Sequence, residues 1–271
     1  MRCESACAYG GGTVINAIAT GHGAAFPISL RIEAEVCLSD RDQVSTYAEV
    51  DLEPIYNIVK KARERWGLGP LSVKIRGDLP TAGGLKSSSA TVNAIVRALA
   101  KLAGVEIDLF DLARLNAELS KWAGISITGA FDDAVASAVG KSFLTDNWKM
   151  LAIRELEVCG RAVVLIPPYE KRRHKVEEMK AIAPLIRSAV AQAGLGMWRE
   201  AMLINAVAYG YVLGYPPDPL LEALKTGAVG GVSGTGPSHV FISDSPEELA
   251  KVLSKFGQTY VVDIPKGPCL P

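Results

Sequence analysis

Apolar residues take every second position over residues 28–38, and mostly polar residues lie between them. A period of two is typical of a half-buried strand, so the pattern predicts a strand that begins after Pro27. Residues 44–50 could pair with this strand. The run 71–75 predicts a further strand.

Apolar spacings of three and four predict helices in the next part of the chain. Residues 51–66 form an amphipathic helix pattern. A second helix begins near Ser88 and ends at Gly104, a residue type that commonly ends helices. A third begins after Asp108, whose side chain can cap it, and ends at Gly124.

Beyond Cys159 and Gly160 the pattern of strands and helices starts again with a new strand, which suggests a domain boundary near residue 158. We expect domains over 1–158 and 159–271. Strands and helices do not alternate strictly, which favours an α+β fold. The predicted elements are a short buried helix at 134–139, strands at 142–145, 150–155, 162–166, 240–242 and 260–264, and helices at 176–192, 198–212, 219–225 and 247–256.

Composition narrows the class of protein. The chain has 271 residues, 49% of them hydrophobic, and its 29 Lys and Arg balance 29 Asp and Glu. This balance removes the bulk electrostatic argument for binding nucleic acid or an anionic membrane. No run reaches the roughly 20 apolar residues of a membrane span, and the first residues lack the apolar core of a signal peptide. We therefore expect a cytoplasmic protein without nucleic-acid or membrane partners.

The five cysteines form no CxxC pair and no metal-ligand spacing. Cytosolic chains seldom keep disulfides, so we expect reduced thiols.

The segment LPTAGGLKSSSATVNA, at residues 79–94, joins a strand end, a glycine-containing loop and a helix start. Glycines let the backbone approach an anion, and the first N–H groups of a helix have no intrahelical partner. The segment therefore predicts a phosphate site, with serine hydroxyls that can also ligate magnesium. The alternative is an ordinary helix capped by serine. It is not the usual P-loop, because the GxxxxGK[ST] pattern is missing.

A second glycine-rich loop, VGGVSGTGPSHVF at 229–241, suggests a shared anionic ligand. A tight connection between strands is the alternative.

Two adjacent carboxylates, Asp132 and Asp133, open an otherwise apolar helix. They can be helix caps. In a small apolar pocket, however, an aspartate beside a phosphate can accept a hydroxyl proton. Glu118 falls on or beside the buried stripe of its helix, where we expect it to be half-buried, with a metal ion or a salt bridge as its partner.

Two further segments are candidates for the substrate side. Residues 10–26 carry Asn16, Thr20 and His22 among small uncharged residues, which suits either a small ligand or a tightly packed strand and turn. The run EKRRHK at 170–175 is a solvated loop in the simplest interpretation, and could also supply a cation to an anionic substrate.

Taken in order, these segments resemble the GHMP superfamily of small-molecule kinases. The family motif P-x-G-x-G-L-G-S-S-A-A corresponds to Pro80, Gly84, Leu85, Ser87, Ser88 and Ala90, and the chain departs from it at Ala82, Lys86 and Ser89. The departures, written GLKSSSA, are similar to the archaeal-type shikimate kinase branch, as are INAIATGHGAAF, TGAFDDA and SGTGPS.

The resemblance implies an N-terminal domain like domain 2 of ribosomal protein S5 and a ferredoxin-like C-terminal domain. It implies that Asp132 is catalytic with Asp133 beside it, and that Ser88 and Glu118 bind Mg²⁺. Residues implied to hold ATP are Pro80, Ala82, Gly83, Gly84, Leu85, Lys86, Ser87, Ser88 and Ser89. Residues expected on the substrate side are Asn16, Thr20, Gly21, His22, Gly234, Thr235, Gly236, Arg172 and Arg173.

The implied activity is transfer of the γ-phosphate of ATP to the 3-hydroxyl of shikimate. Another small-alcohol kinase, such as homoserine kinase, is the alternative within the family. A catalytically silent ligand sensor is the alternative from another class, and retention of Asp132 and the full serine run argues against it.

Overall fold

A computed structural model describes residues 2–48, 50–80, 83–170, 172 and 176–270. The elements of the first part are β1 (Cys3–Ile15), β2 (His22–Leu38), β3 (Gln43–Thr46), α1 (Glu53–Arg65), β4 (Leu71–Gly77), α2 (Ser87–Ala103), α3 (Leu109–Trp122), α4 (Phe131–Val139), β5 (Ser142–Asp146) and β6 (Leu151–Leu156). Those of the second part are β7 (Arg161–Ile166), α5 (Val176–Ala181), α6 (Ala183–Gly194), α7 (Trp198–Val212), α8 (Asp218–Lys225), β8 (Val229–Val232), β9 (His239–Ser243), α9 (Pro246–Leu253) and β10 (Gln258–Asp263).

The long strand β2 organises the first sheet, whose order is β3-β4-β2-β5-β6 with β1 also paired to β2. β1 runs antiparallel to β2 from Cys3 opposite Cys37 to Ile15 opposite Ala24. β5 pairs with the first residues of β2 and β4 with the last ones. The start of β2 and the end of β5 therefore lie side by side, next to the start of α4.

Helix α2 crosses this sheet and forms the centre of the core. Its residues Ile95, Val96 and Leu99 are fully buried, and α3 and α4 pack beside it. The second sheet has the order β10-β7-β9-β8, and α7 connects it to β1 of the first sheet. The predicted α+β class is thus observed. The sheets divide between β6 and β7, close to the boundary expected near residue 158.

Strands β1 and β2 differ from the sequence prediction. A packed strand is only the alternative interpretation of residues 10–26, because the run of Gly10, Gly11 and Gly12 carries no alternation, whereas β1 extends from Cys3 to Ile15. β2 begins at His22 and continues through Pro27, and this proline takes its place opposite Gly11, where the register of β1 shifts. The predicted helix at 176–192 is divided between α5 and α6, and Pro184 lies in the first turn of α6.

The cysteine prediction is wrong for four of the five residues. Cys3 is disulfide-bonded to Cys37, and Cys7 to Cys269, whereas Cys159 is free and exposed. Strand pairing brings the first two together, and the C-terminal segment brings Cys269 to β1. Neither proximity is visible in sequence spacing. Within the described ranges, no helix has the length and apolar character needed to cross a membrane.

Candidate active site

The loop before α2 presents the start of that helix to a cavity. Lys86 takes a left-handed conformation (φ 62°) and makes no side-chain cap, while Ser87 and Ser88 are exposed. The first N–H groups of an uncapped helix have no intrahelical partner and lie at the positive end of its dipole. The N-terminus of α2 is therefore suited to bind an anion such as phosphate.

The second glycine-rich loop holds the first one in place. The hydroxyl of Ser233 donates to the carbonyl of Gly84 at 2.7 Å, and the N–H of Ser238 donates to the carbonyl of Gly83 at 3.2 Å. Gly84 has a φ of 106°, and a Cβ there would lie 2.4 Å from the carbonyl oxygen of Ser233. Only glycine fits this contact, so the two loops form one unit.

Asn16 ties β1 to the same unit. Its amide nitrogen donates to the carbonyl of Gly234 at 2.8 Å, and its backbone N–H donates to Asn205 at 2.9 Å. The N–H of Gly234 donates to the hydroxyl of Thr13 at 2.8 Å. The end of β1 is thus hydrogen-bonded to the loop between β8 and β9 and to helix α7.

Asp132 and Asp133 are in the first turn of α4 and lie beside the N-terminus of α2. The ammonium of Lys86 is 2.8 Å from Asp133 Oδ1, with little exposure of either side chain, and the contact is an ion pair without hydrogen-bond alignment. Asp132 is 5% exposed, and its Oδ1 accepts a 2.7 Å hydrogen bond from the amide of Asn147. One cation and two carboxylates therefore lie close together, and all three side chains have little exposure to solvent.

The charge of Asp132 is disfavoured by its surroundings. Burial and then the neighbouring charge of Asp133 raise the pKa of Asp132 from 3.8 to about 7, and Lys86 and Asn147 oppose this shift. Burial penalises an ionised carboxylate because it removes the solvating water. A carboxyl with a pKa near neutrality can take up or release a proton under ordinary conditions.

Two cavities meet at the start of α2. The acid-lined cavity contains both aspartates, Lys86, the start of α2 and the loop 125–128. The apolar cavity lies between α1 and α2, with Tyr47, Val50, Pro54, Ile55, Val92 and Ile95 in its lining. Ser87, Ser88 and Ile125 line both cavities.

Most residues expected from the sequence lie in these cavities. Pro80 lines the apolar cavity. The acid-lined cavity contains Asn16, Gly83, Gly84, Lys86, Ser87, Ser88, Ser89, Asp132, Asp133, Gly234 and Thr235. The expectations for Ala82 and Arg173 fall outside the described residues.

Three of the expected substrate residues form a turn that does not line either cavity. The hydroxyl of Thr20 bonds to the backbone of His22, and Gly21 packs against the indole of Trp148, where a Cβ would lie 1.8 Å from Nε1. This turn joins β1 to β2, so its residues serve the local chain reversal.

Three other expected residues also lie outside the two linings. Leu85 has its side chain in the core, and its carbonyl accepts from Gly11 N–H. Gly236 packs against the ring of Tyr215. Arg172 donates to the carbonyl of Gly214, with its guanidinium 5.6 Å from the same ring. Tyr215 in turn donates to the carbonyl of Thr235 at 3.0 Å, so Arg172 lies behind a residue of the acid-lined cavity.

The prediction that Glu118 is half-buried is wrong. Its side chain is exposed and lies with Lys61 and Arg65 on the outer side of α3, whereas Asn116 and Ser120 face inward. The side chain of Glu118 therefore does not line the acid-lined cavity to which Ser88 belongs. In the part of the chain that the structure describes, no three carboxylate, histidine or cysteine side chains form a metal cluster.

Several residues of the site carry little or no signal in the sequence. In the apolar lining of the second cavity, Ile55 gave no signal beyond an amphipathic helix pattern, and Tyr47 none beyond a segment that could pair with a strand. Ser126 and Thr128 line the acid-lined cavity, and their segment joins two helices without a pattern of its own. Asn147 lies beyond a predicted strand and had no signal at all.

Known proteins are similar to this chain in sequence and in fold. A family model for the N-terminal domain of GHMP kinases matches residues 53–141. A shikimate kinase from Pyrococcus abyssi is 37% identical over 263 residues, which cover 93% of this chain and 96% of the relative. Another from Methanothrix thermoacetophila is 38% identical, with coverages of 93% and 90%. This chain belongs to the GHMP kinase family.

Solved structures of GHMP kinases have the same architecture. The mevalonate kinase of Methanococcus jannaschii aligns with a TM-score of 0.75 at 15% identity, over 98% of this chain and 99% of that one. A homoserine kinase from Cytophaga hutchinsonii aligns with a TM-score of 0.75 at 18% identity, over 97% and 96%. These similarities show the fold, and the family resemblance and fold class predicted from the sequence are confirmed.

Proposed function

We propose that this GHMP kinase transfers the γ-phosphoryl group of ATP to the 3-hydroxyl of shikimate. The observation that carries the proposal is the position of Asp132, a carboxyl with a pKa of about 7, in the cavity that also contains the start of α2. A proton acceptor and an anion site thus face one space. The full-length similarity to archaeal shikimate kinases supports the choice of acceptor.

The two cavities suit the two ends of ATP. The apolar cavity has flat aliphatic and aromatic walls that suit an adenine base, with Thr46, Asp51 and Thr91 as polar lining residues. From there the chain of phosphates would reach Ser87 and Ser88, which belong to both cavities. The γ-phosphate would then lie in the acid-lined cavity near Lys86.

The chemical step needs an oxygen nucleophile and a place for its proton. The 3-hydroxyl oxygen forms a bond to the γ-phosphorus while the bond from that phosphorus to the bridging oxygen of ADP breaks. The hydroxyl proton passes to the carboxylate of Asp132. Because phosphoryl transfer requires little covalent work from protein groups, positioning and charge neutralisation by Lys86 and the α2 N–H groups supply most of the catalysis.

Magnesium fits this donor set in part. Ser88 offers a hydroxyl at the phosphate site, and Mg²⁺ commonly binds through few protein ligands together with phosphates and water. When bound with ATP, Mg²⁺ would neutralise phosphate charge. Ser88 would hold it together with phosphate oxygens, and Glu118 has no part in the site.

A panel of acceptors tests the proposal. ADP release would be measured with shikimate, homoserine and mevalonate, and we expect the highest kcat/KM for shikimate. A higher value for homoserine or mevalonate would overturn the choice of substrate and leave the kinase activity standing. ATP binding with no turnover of any of the three would favour a silent sensor.

Shikimate is an acid, so its carboxylate needs a cation or several N–H donors once water is excluded. We propose that Arg172 or Arg173 supplies this cation. Arg172 lies behind Thr235, because its guanidinium is 5.6 Å from the ring of Tyr215, whose hydroxyl donates to the Thr235 carbonyl. We expect Arg172→Ala or Arg173→Ala to raise KM for shikimate by about tenfold or more, with KM for ATP little changed. Steady-state kinetics with both substrates varied would measure this, and an unchanged KM in both variants would contradict it.

A further inference from the structure

Asn147 follows the last residue of β5 and is completely buried. Its N–H donates to the carbonyl of Gly21 at 2.8 Å, which anchors its backbone to the β1–β2 turn. Its side chain points to the first turn of α4. The turn after β5 therefore delivers an amide to the site of Asp132.

All the hydrogen-bonding capacity of this amide is used. The amide nitrogen donates to Asp132 Oδ1 at 2.7 Å and, more weakly, to Thr128 Oγ1 at 3.4 Å. The amide oxygen accepts from the hydroxyl of Thr145 at 2.7 Å and from the backbone N–H of Asp132 at 3.2 Å. An amide has two donor hydrogens and an oxygen with two lone pairs, so every position is filled.

This set of contacts fixes which way the amide faces. The N–H of Asp132 can only donate, so it requires the amide oxygen on its side, where the hydroxyl of Thr145 also lies between that oxygen and the carbonyl of Gly23. The NH₂ group must then face the carboxylate. A reversed amide would put two acceptors, its oxygen and Asp132 Oδ1, against each other.

The contact also distinguishes the two oxygens of Asp132. Oδ1 is occupied by the Asn147 amide. Oδ2 lies beside Gly23, where a Cβ would be only 2.5 Å from it, so a side chain at position 23 would displace the carboxyl group. The missing side chain at Gly23 leaves room for Oδ2, and because Oδ1 is engaged by Asn147, Oδ2 is the oxygen left for a substrate hydroxyl.

We propose that Asn147 is a positioning residue for the phosphoryl transfer, which fixes the carboxyl group of Asp132 so that Oδ2 accepts the proton of the acceptor hydroxyl. This inference rests on the proposed function. The same contacts also allow a purely structural role, because the residue before α4 makes no side-chain cap and Asn147 accepts from one of the free N–H groups of the helix.

Replacement by aspartate separates the two roles. Asn147→Asp keeps the shape and an oxygen that accepts from the Asp132 N–H, and a carboxylate is favourable at a helix N-terminus. It removes the donor to Asp132 Oδ1 and puts a second negative charge there. A cap would survive this change, whereas a positioning contact would be lost. Asn147→Ala removes both.

The matched control is Asn93→Ala. Asn93 is also buried, its amide donates to the carbonyl of Ala134 in α4 at 2.9 Å, and its amide oxygen accepts from Asn116 at 2.8 Å, so these hydrogen bonds do not involve Asp132. All variants would be compared with Asp132→Asn by thermal unfolding, ADP binding and steady-state kinetics with ATP and shikimate at mildly alkaline pH. We expect both Asn147 variants to lose about 10- to 100-fold in kcat, as for a misplaced catalytic group, with either KM changed by less than about threefold. Asn93→Ala should lower Tm and keep kcat.

The outcomes separate the inference from the proposed function. An inactive Asp132→Asn together with a wild-type kcat in Asn147→Asp would overturn the positioning role and leave a helix cap. A loss of kcat in Asn93→Ala as large as that in Asn147→Ala would also overturn it, because general destabilisation would then explain the loss. Nearly full activity in Asp132→Asn would instead overturn the catalytic assignment of the proposed function, and the inference with it.

Discussion

Asp132 combines two properties that rarely coincide in a stable protein, burial and a charge neighbour of the same sign. Asp133 forms an ion pair with the ammonium group of Lys86. Burial and the charge of Asp133 raise the pKa of Asp132 by more than Lys86, Asn147 and a backbone hydrogen bond lower it. We therefore expect the two residues to differ in role although they are adjacent in the chain, with Asp132 as the proton acceptor and Asp133 as the partner of Lys86.

This difference predicts separate effects of the two Asp→Asn changes. We expect Asp132→Asn to lower kcat by roughly 10² to 10⁴ and to leave ADP binding nearly unchanged, since loss of a positioned base affects the chemical step. Asp133→Asn should release Lys86 and mainly raise KM for ATP. Steady-state kinetics and ADP titration would check both. A severe kcat loss in Asp133→Asn with a mild one in Asp132→Asn would reverse the assignment.

The raised pKa of Asp132 also predicts how stability depends on pH. Because its pKa is about 7 in the folded protein, above the ordinary value of 3.8, the folded state binds this proton more tightly. The resulting stabilisation is complete below the ordinary pKa and is lost as pH rises through the folded pKa. Asp132→Asn mimics the protonated form. We expect it to raise Tm above neutral pH, with a gain that vanishes near pH 4.

Thermal unfolding of the parent and the variant across this pH range would measure the effect. A difference in Tm that is constant with pH would contradict the shifted pKa. A variant less stable than the parent at every pH would indicate that the ionised carboxylate is a net stabilising group.

At the scale of elements, the phosphate site depends on two loops from distant parts of the chain. The loop before α2 supplies the helix end, and the loop between β8 and β9 holds it through Ser233 and Ser238. Neither loop alone defines the position of the other. Their contact is close because Gly84 has no side chain.

Gly84→Ala should therefore impair nucleotide binding. Its Cβ would meet the backbone of Ser233, which cannot move without the rest of its loop. We expect KM for ATP to rise by about tenfold or more, equivalent to 1.4 kcal/mol or more of binding. The control is Gly104→Ala, also at positive φ but with open space around it. That change should cost about 1 to 2 kcal/mol of stability and leave KM unchanged. Equal KM values in both variants would contradict the contact.

The helices were predicted better than the strands. The helix predicted over 51–66 is observed as α1 at Glu53–Arg65. The helix predicted to begin near Ser88 is observed as α2 at Ser87–Ala103. Helical periodicity and end residues are local, so they can be read directly. β8 was not predicted, because Val229–Val232 is short, contains two glycines and is defined by its pairing with β9.

At the scale of the whole molecule, the C-terminal segment closes the chain onto β1. Cys269 is buried, bonded to Cys7, and its carbonyl accepts from Arg97 of α2 at 2.8 Å. The disulfide spans 262 positions. A cross-link over so long a loop restricts the unfolded chain strongly.

Removal of this cross-link should destabilise the fold. We expect Cys269→Ser to lower the free energy of unfolding by roughly 2 to 5 kcal/mol, and a reductant to lower the Tm of the parent in the same direction. Cys159→Ser is the control, since Cys159 is exposed and unpaired. Chemical denaturation with and without reductant would measure the difference, and equal stabilities for Cys269→Ser and Cys159→Ser would show that the disulfide contributes nothing.

The sequence by itself determined the helices, the two glycine-rich loops, the carboxylate pair and the family, because each is written in neighbouring residues. Only the tertiary structure determined which distant residues contact each other. It placed Glu118 on the outer face of α3, because the buried stripe includes the polar Asn116 and Ser120, and the apolar Trp122 is 57% exposed. It also joined Asn147 to Asp132 and Cys269 to Cys7. Periodicity states that one face of an element is buried, and only long-range packing determines what lies against it.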